Sequence, residues 1–389
     1  MRFSTAITVI LVFLSFAVIF GQEDYWPFYG LATNGNGARA AGMGYAFTGI
    51  ADDASAIAWN PAGLTQLVTM EASAVFRFGF GSVSGDYSFA NAEFERTTGF
   101  QFNFVSFTVP FNAGDFNLVA GAAYRTLYDF NEELTLTLSA EGESVELTRE
   151  IKGGINAISP SIGFALNEVV SFGATVNILS GDDEPKYTFM DEVETLPKVD
   201  FSGTNFEIGA LIKASPQFSL GGKLTFPYSL EVKGEDFKED VDVPMFYNLG
   251  LAFRPTDKVT IAADYHAAPW SKAEDEDGNP FTDENANSIH VGLEYLAGSG
   301  SSILPLRLGF YTVPTSFVDY NEDAISFSAV TAGVGIIMDN FIIDGSFEYL
   351  FGSWAEDNEA EYGFPDKDVD YTLSDFRITL GAVIHLGGN

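Results

Sequence analysis

The residues best equipped for chemistry are few and far apart. The chain has three histidines and no cysteine among 389 residues, which excludes thiol catalysis, cysteine zinc sites, a disulfide scaffold and a lipidated N-terminal cysteine. His266, His290 and His385 could hold a metal or relay protons, but they lie in three separate segments without the short spacing of a ligand set. Asp275, Asp277, Gly278 and Asn279 open like a calcium loop. Pro280 then stands where that loop needs Gly, and Ala286 where it needs a bidentate Glu. The N-terminal glycines are not followed by Lys-Ser or Lys-Thr, so they do not form a phosphate loop. No nucleophile stands beside a base, and the chain reads as a non-enzyme without a resident metal or cofactor.

What remains is a set of charges of both signs, and their spacing names the element that carries them. In 375–386, Phe376, Ile378, Leu380, Ala382, Ile384 and Leu386 alternate with Asp375, Arg377, Thr379 and His385. This period of two is that of a strand with one apolar and one polar face. The pattern recurs with Arg125, Arg254, Asp264, His266, His290, Glu294, Arg307, Asp344 and Glu348 on the polar face. Helical spacing is scarce after residue 70.

Connections alternate in length. Tight-turn compositions occur at Asn112-Ala113-Gly114, Asn167-Glu168, Ser215-Pro216-Gln217, Pro255-Thr256-Asp257 and Asp339-Asn340. Between them lie longer stretches, near 127–153, 181–200, 231–243, 271–287 and 353–371, which read as loops. Within their central parts, 132–150, 182–194, 231–242, 274–284 and 356–370, fall 31 of the 54 acidic residues. Short turns on one rim and long acidic connections on the other are the plan of an outer-membrane barrel. The strands so delimited number fourteen, an even count as closure requires. The expected fold class is therefore all-β, a 14-stranded antiparallel transmembrane β-barrel. Its apolar face meets lipid and its charged face the lumen, where ion pairs around a plug are expected.

Two segments precede the barrel. Met1 and Arg2 lead into an uncharged run whose apolar part spans 6–20, ahead of Glu23 and Asp24, which reads as a signal peptide over 1–21. Residues 22–68 break the strand period with Gly30, Gly35, Gly37, Gly42, Gly44 and Gly49 among small residues. This composition fits a compact hatch inside the lumen, with Asp52 or Asp53 capping a short helix. The barrel then occupies 69–389.

Gly-Ala-Arg-Ala-Ala-Gly-Met-Gly-Tyr-Ala-Phe at 37–47, Ala-Asp-Asp-Ala at 51–54 and Asn-Pro-Ala-Gly at 60–63 resemble the N-terminal hatch of the FadL/TodX long-chain fatty acid and hydrocarbon transporters. Segments 104–111, 160–177, 205–234, 247–271 and 307–314 resemble that family in the same order. The resemblance gives Asp52, Asp53, Asn60, Pro61, Ala62 and Gly63 as the hatch motif. It implies passive uptake of hydrophobic small molecules through a plugged barrel with release through its side wall. Barrels that act as non-transporting partners in type IX secretion carry a similar hatch motif, and a general porin is a further alternative.

Composition bounds the partners. A net charge of −35 repels phosphate backbones and excludes nucleic acid. The expected partners are a hydrophobic solute and outer-membrane lipid or lipopolysaccharide, with divalent cations loosely held at the acidic external rim. The chain is expected to be a monomer in the bacterial outer membrane.

Overall fold

In the computed structural model, consecutive strands pair antiparallel all the way round, and the last returns to the first. The structure describes residues 35–86, 91–114, 116–140, 143–189, 192–274, 278, 282, 284–299, 302–319, 323–357 and 368–387. The segment expected to be a signal peptide, the start of the expected hatch and parts of the acidic rim lie outside them.

The strands are β1 (Met70–Asp86), β2 (Asn91–Ala113), β3 (Phe116–Asp129 continued by Glu132–Ala140), β4 (Glu143–Ala165) and β5 (Val170–Phe189). They continue with β6 (Glu192–Thr195 and Val199–Ser215), β7 (Phe218–Thr225 and Tyr228–Lys233), β8 (Lys238–Val243 and Phe246–Thr256) and β9 (Val259–Ala267). The circuit is completed by β10 (Ser288–Ser299), β11 (Ser302–Val318), β12 (Ala324–Met338), β13 (Phe341–Asp357) and β14 (Asp368–Leu386). Pairing of β1 with β14, from Met70↔Leu386 to Gly85↔Tyr371, closes the barrel. The count is the fourteen that alternation predicts, and closure leaves no sheet edge in lipid.

The two faces sort as the period of two requires. Leu249, Leu251 and Phe253 of β8 and Ile289, Val291 and Leu293 of β10 are exposed on the outer wall. Asp264, Glu294, Arg307, Glu348 and Arg377 are buried on the inner one. Among the described residues no helix is long and apolar enough to cross a membrane, so the strands do the crossing.

The short rim is made by turn chemistry. Asn167 accepts from the amides of Val169 and Val170, each at 2.8 Å, and Ser215 accepts from Gln217 N at 3.2 Å. The opposite rim corrects the expectation of long loops. Residues 127–153, 181–200 and 231–243 are mostly strand, continuing the barrel as hairpins. Acidic composition masked their alternation, which shows in the facing hydroxyls of Thr135 and Thr148, 3.1 Å apart. Segment 271–287 remains irregular; it starts in a 3₁₀ turn (Trp270–Lys272) and touches β8 through a bridge between Asp242 and Glu274.

Inside the raised hairpins sits an apolar cluster of Leu179, Phe201, Leu230, Val232, Val241, Val243 and Trp270. The inner face is thus charged at the level of the hatch and apolar above it.

One seam of the wall is irregular. The β2–β3 ladder runs to Phe104↔Arg125 and resumes only at Thr97↔Glu133. On its far side β3 bulges at Leu127, since Thr126 pairs with Asn156 and Tyr128 with Ile155. The bulge turns β3 into the lumen, where Phe130 meets Phe201 with centroids 5.6 Å apart.

Candidate functional site

The lumen is filled at mid-height by residues 35–67. Two short helices, α1 (Ala38–Gly42) and α2 (Ala56–Trp59), are joined by turns and followed by a 3₁₀ turn (Pro61–Gln66). Met43, Tyr45, Phe47, Ile50, Ile57 and Leu64 are almost wholly buried.

So thick a segment fits because the wall thins to meet it. Inward glycines lie directly opposite one another as Gly163↔Gly173, Gly173↔Gly209, Gly221↔Gly250 and Gly292↔Gly309. A Cβ on Gly163 would come 3.0 Å from Leu64 Cβ, and one on Gly292 would come 2.9 Å from Met43 Cβ. Gly44 completes the contact from the hatch side, with φ +60° and room for no Cβ beyond 2.8 Å of Phe310 N. Such girdle glycines leave only an interruption of the polar face in the sequence, which alternation alone does not mark as functional.

Side-chain anchors hold the hatch backbone to the wall. Asp264 accepts from Phe47 N at 2.9 Å and Thr48 N at 2.7 Å. Glu71 accepts from Ala54 N at 3.1 Å. Asn60 accepts from Ala62 N at 3.2 Å and donates to Ala210 O of β6 at 3.0 Å. That makes Asn60 the cap of the 3₁₀ turn begun by Pro61. Gly63 packs against the Ala51 carbonyl where a Cβ would collide.

The expected cap at Asp52 or Asp53 is not made. α2 starts after Ser55 with no side-chain cap, and Asp53 instead accepts from Ser55 N at 2.8 Å. Its neighbour Asp52 turns to Arg39, 2.6 Å away. Asp53 and Asp52 stand two and three positions ahead of the Ser55 that occupies the cap position.

The inward charges form linked networks. Arg39 reaches Glu294 with both Nε and Nη2, at 3.0 and 2.9 Å. Arg307 shares Glu294 at 2.7 Å and holds Asp344 at 2.6 Å. Arg377 lies between Asp375 at 3.1 Å and Glu348 at 3.3 Å. Arg125 meets Glu207 at 3.0 Å, and Glu207 also takes Lys223 at 3.2 Å. Arg254 approaches Asp52 at 3.6 Å. Burial works against the charge on Arg39, but Asp52, Glu294 and Asp53 outweigh it and hold the guanidinium pKa well above its usual value. Glu207 and Lys223 also face inward by the period of two, alternating with the outward Phe206, Ile208 and Leu220, but nothing in the sequence marks them as partners of Arg125 and of each other.

Two of the three histidines come together. Adjacent strands bring the rings of His266 and His290 to 4.1 Å, although 24 positions of sequence separate the residues and period alone gives no pairing. Trp59, Tyr45 and Tyr311 complete a closed circuit of rings, with His290 stacked on Tyr311 at 5.3 Å and 9°. His290 is committed to Gly44 O at 2.8 Å and to Ser288 at 2.7 Å. His385 stands apart beside Glu71 at 3.3 Å. Among the described residues no three His, Asp or Glu side chains are grouped to hold a metal.

Above the hatch lies a cavity of about 270 Å³. Part of its wall is apolar and aromatic, with Trp59, Leu127, Tyr128, Tyr228, Phe246 and Trp270, and the buried Arg125–Glu207 pair also borders it. Its polar side is a row across four strands, Lys223↔Asn248↔His266↔Ser288. Trp270 packs on Phe246 at 5.0 Å, so the segment after β9 roofs the cavity. The volume is near the lower end of small-molecule pockets, about 300 to 1,000 Å³.

A closed barrel of this strand number, stoppered by its own N-terminal segment and holding a partly aromatic cavity above the stopper, defines the outer-membrane channel class. The sequence model of outer membrane protein transport protein (OMPP1/FadL/TodX) matches residues 30–304, and the chain belongs to that family. Family and fold place it in the outer membrane. A Pseudomonas aeruginosa FadL homologue superposes with a TM-score of 0.63 at 14% identity, covering 92% of this chain and 100% of that one. The toluene transporter TodX of Pseudomonas putida gives 0.64 at 14%, covering 92% and 100%. The Ralstonia pickettii toluene transporter TbuX gives 0.60 at 12%, covering 91% and 99%. At these identities the structures share the fold. Comparison with curated protein sequences returns no match.

Proposed function

We propose that this chain takes up hydrophobic small molecules passively, from the external rim to the interior of the outer membrane. The cavity carries the reading: a chamber with an aromatic side and a polar side, above a hatch that blocks straight passage and bordered by Thr126, Leu127 and Tyr128 of the interrupted β2–β3 seam. A solute leaves water for the apolar hairpin cluster at roughly 25 cal/mol per Å² buried. It enters the cavity past Trp270 and moves sideways through the seam. Straight flow of ions or water meets the hatch, which is why a general porin is the poorer reading. No feature of the lumen favours a secretion partner.

The N-terminal run acts as a signal peptide, and the barrel works as a monomer. The acidic hairpins sit among lipopolysaccharide phosphates, bridged by loosely held divalent cations.

Uptake of radiolabelled alkylbenzene and fatty acid into proteoliposomes tests the reading. Uptake of at least one above that of protein-free vesicles is expected, with a loss of about tenfold for Trp270→Ala, in line with removing one aromatic wall of a small pocket. Equal entry with and without protein for every solute would overturn it.

A further inference from the structure

The cavity above the hatch has a polar side that a hydrocarbon would leave unused. Lys223 of β7, Asn248 of β8 and His266 of β9 stand directly opposite one another across three strands, and all three border the cavity. Side chains paired in this way hold their Cβ atoms about 4.5 to 5.5 Å apart, close enough for one small polar group to touch two of them. The aromatic wall is Trp59 together with Phe246 and Trp270, whose rings meet at 5.0 Å.

The members of the row differ in how far their hydrogen bonds are spent. Ser288, at its end, is engaged with His290 at 2.7 Å. Lys223 Nζ donates to Ala58 O at 2.8 Å and to Glu207 at 3.2 Å, which leaves one of its three N–H groups. The Asn248 carboxamide is half-buried and, among the described residues, has no hydrogen-bond partner. It presents a carbonyl oxygen and two N–H donors, and no group of the hatch or wall answers them.

Size and charge narrow what could. A cavity of about 150 Å³ is enough for benzene, so about 270 Å³ takes one ring with a few further heavy atoms. Arg125 and Lys223 share Glu207, and Asp264 lies 3.5 Å from His266, so the charges around the row already offset one another. A carboxylate head would add a partly buried charge to that balance, and it accepts hydrogen bonds without donating any. A hydroxyl does both: it accepts from Lys223 Nζ and donates to Asn248 Oδ1.

We infer that the cavity recognises a single-ring aromatic carrying a neutral hydroxyl, with its oxygen held between Lys223 and Asn248 and its ring against Trp59. This rests on the channel reading above and narrows it from hydrophobic solutes in general to phenolic ones.

Toluene, p-cresol and p-toluate share a ring and a methyl group and differ only in the head. Equilibrium dialysis of the full chain in detergent, against protein-free micelles of the same detergent, gives their affinities with partition subtracted. p-Cresol is expected to bind about tenfold tighter than toluene, the factor carried by one to two net hydrogen bonds, and p-toluate more weakly than p-cresol. Asn248→Leu is expected to weaken p-cresol about tenfold and to leave toluene unchanged or tighter, a split that general loss of structure would not produce. Asn248→Ser, a milder change, should fall between, and heat-modifiable migration on gels establishes that both variants are folded barrels. Equal affinity for p-cresol and toluene, tightest binding of p-toluate, or an Asn248→Leu protein that keeps the native preference overturns the hydroxyl site and leaves the channel standing. A native chain that moves no solute into proteoliposomes sinks the channel reading, and the hydroxyl site falls with it.

Discussion

Gly49 of the hatch lies so close to Gly250 of β8 that a Cβ on Gly250 would come within 2.6 Å of the Gly49 amide nitrogen. The hatch is therefore seated backbone against backbone, and the wall residues that matter most for it are those with no side chain. Close packing leaves no slack to absorb added atoms.

Gly250→Val should push the hatch off this side of the lumen while the outer wall, whose pairing is independent of it, still closes. Overpacking of this kind costs about 1 to 3 kcal/mol. Planar bilayers should show larger and more frequent ion-conducting openings than with the native protein. Unchanged conductance would mean that the contact does not seat the hatch.

Asp264 accepts two hatch amides, at 2.9 and 2.7 Å. Asp264→Ala strands both, at roughly 1 to 3 kcal/mol for each unsatisfied buried group. Asp264→Asn keeps an acceptor oxygen and should lose less. Hydrogen exchange at Phe47 and Thr48 is the measurement, expected fastest in the alanine variant and intermediate in the asparagine one. Equal protection in all three would refute the anchor.

Glu294 is shared by Arg39 of the hatch and Arg307 of β11. Glu294→Ala leaves two buried cations short of a partner, a loss of about 3 to 5 kcal/mol, which thermal unfolding in detergent would register. Adding Arg39→Met to Glu294→Ala should recover part of it, since it removes one of the orphaned charges. A double variant as unstable as the sum of the single ones would show that the two residues act independently.

Asp53 supplies a pH dependence. Burial raises its carboxyl pKa above the ordinary 3.8; Arg39 opposes the rise, and neighbouring Asp52 adds to it. A carboxyl with a raised docked-state pKa favours the docked hatch fully below the free value and loses that contribution as pH rises through the docked value. Asp53→Asn should therefore slow hydrogen exchange of the hatch near neutral pH. The advantage over the native protein should vanish towards pH 3.8. A constant difference across that range would contradict the assignment.

The sequence by itself determined the barrel. Alternation over strands such as β10 and β14 records which face meets lipid, and tight-turn residues such as Asn167 record where the chain reverses; both signals are local. It also marked Asp264, Glu294, Arg307, Glu348 and Arg377 as inward, because a period of two fixes direction. Tertiary structure decided who meets whom. Arg39 and Glu294 are 255 positions apart, and only the path of the hatch through the closed ring brings them together. The His266–His290 pair depends on the stagger of two neighbouring strands. Gly250 reads as an ordinary interruption until the hatch lies on it. The β2–β3 seam is invisible in either strand alone, since a ladder is a property of two strands. Periodicity is written residue by residue, whereas register, and the route of a chain through its own lumen, exist only after closure.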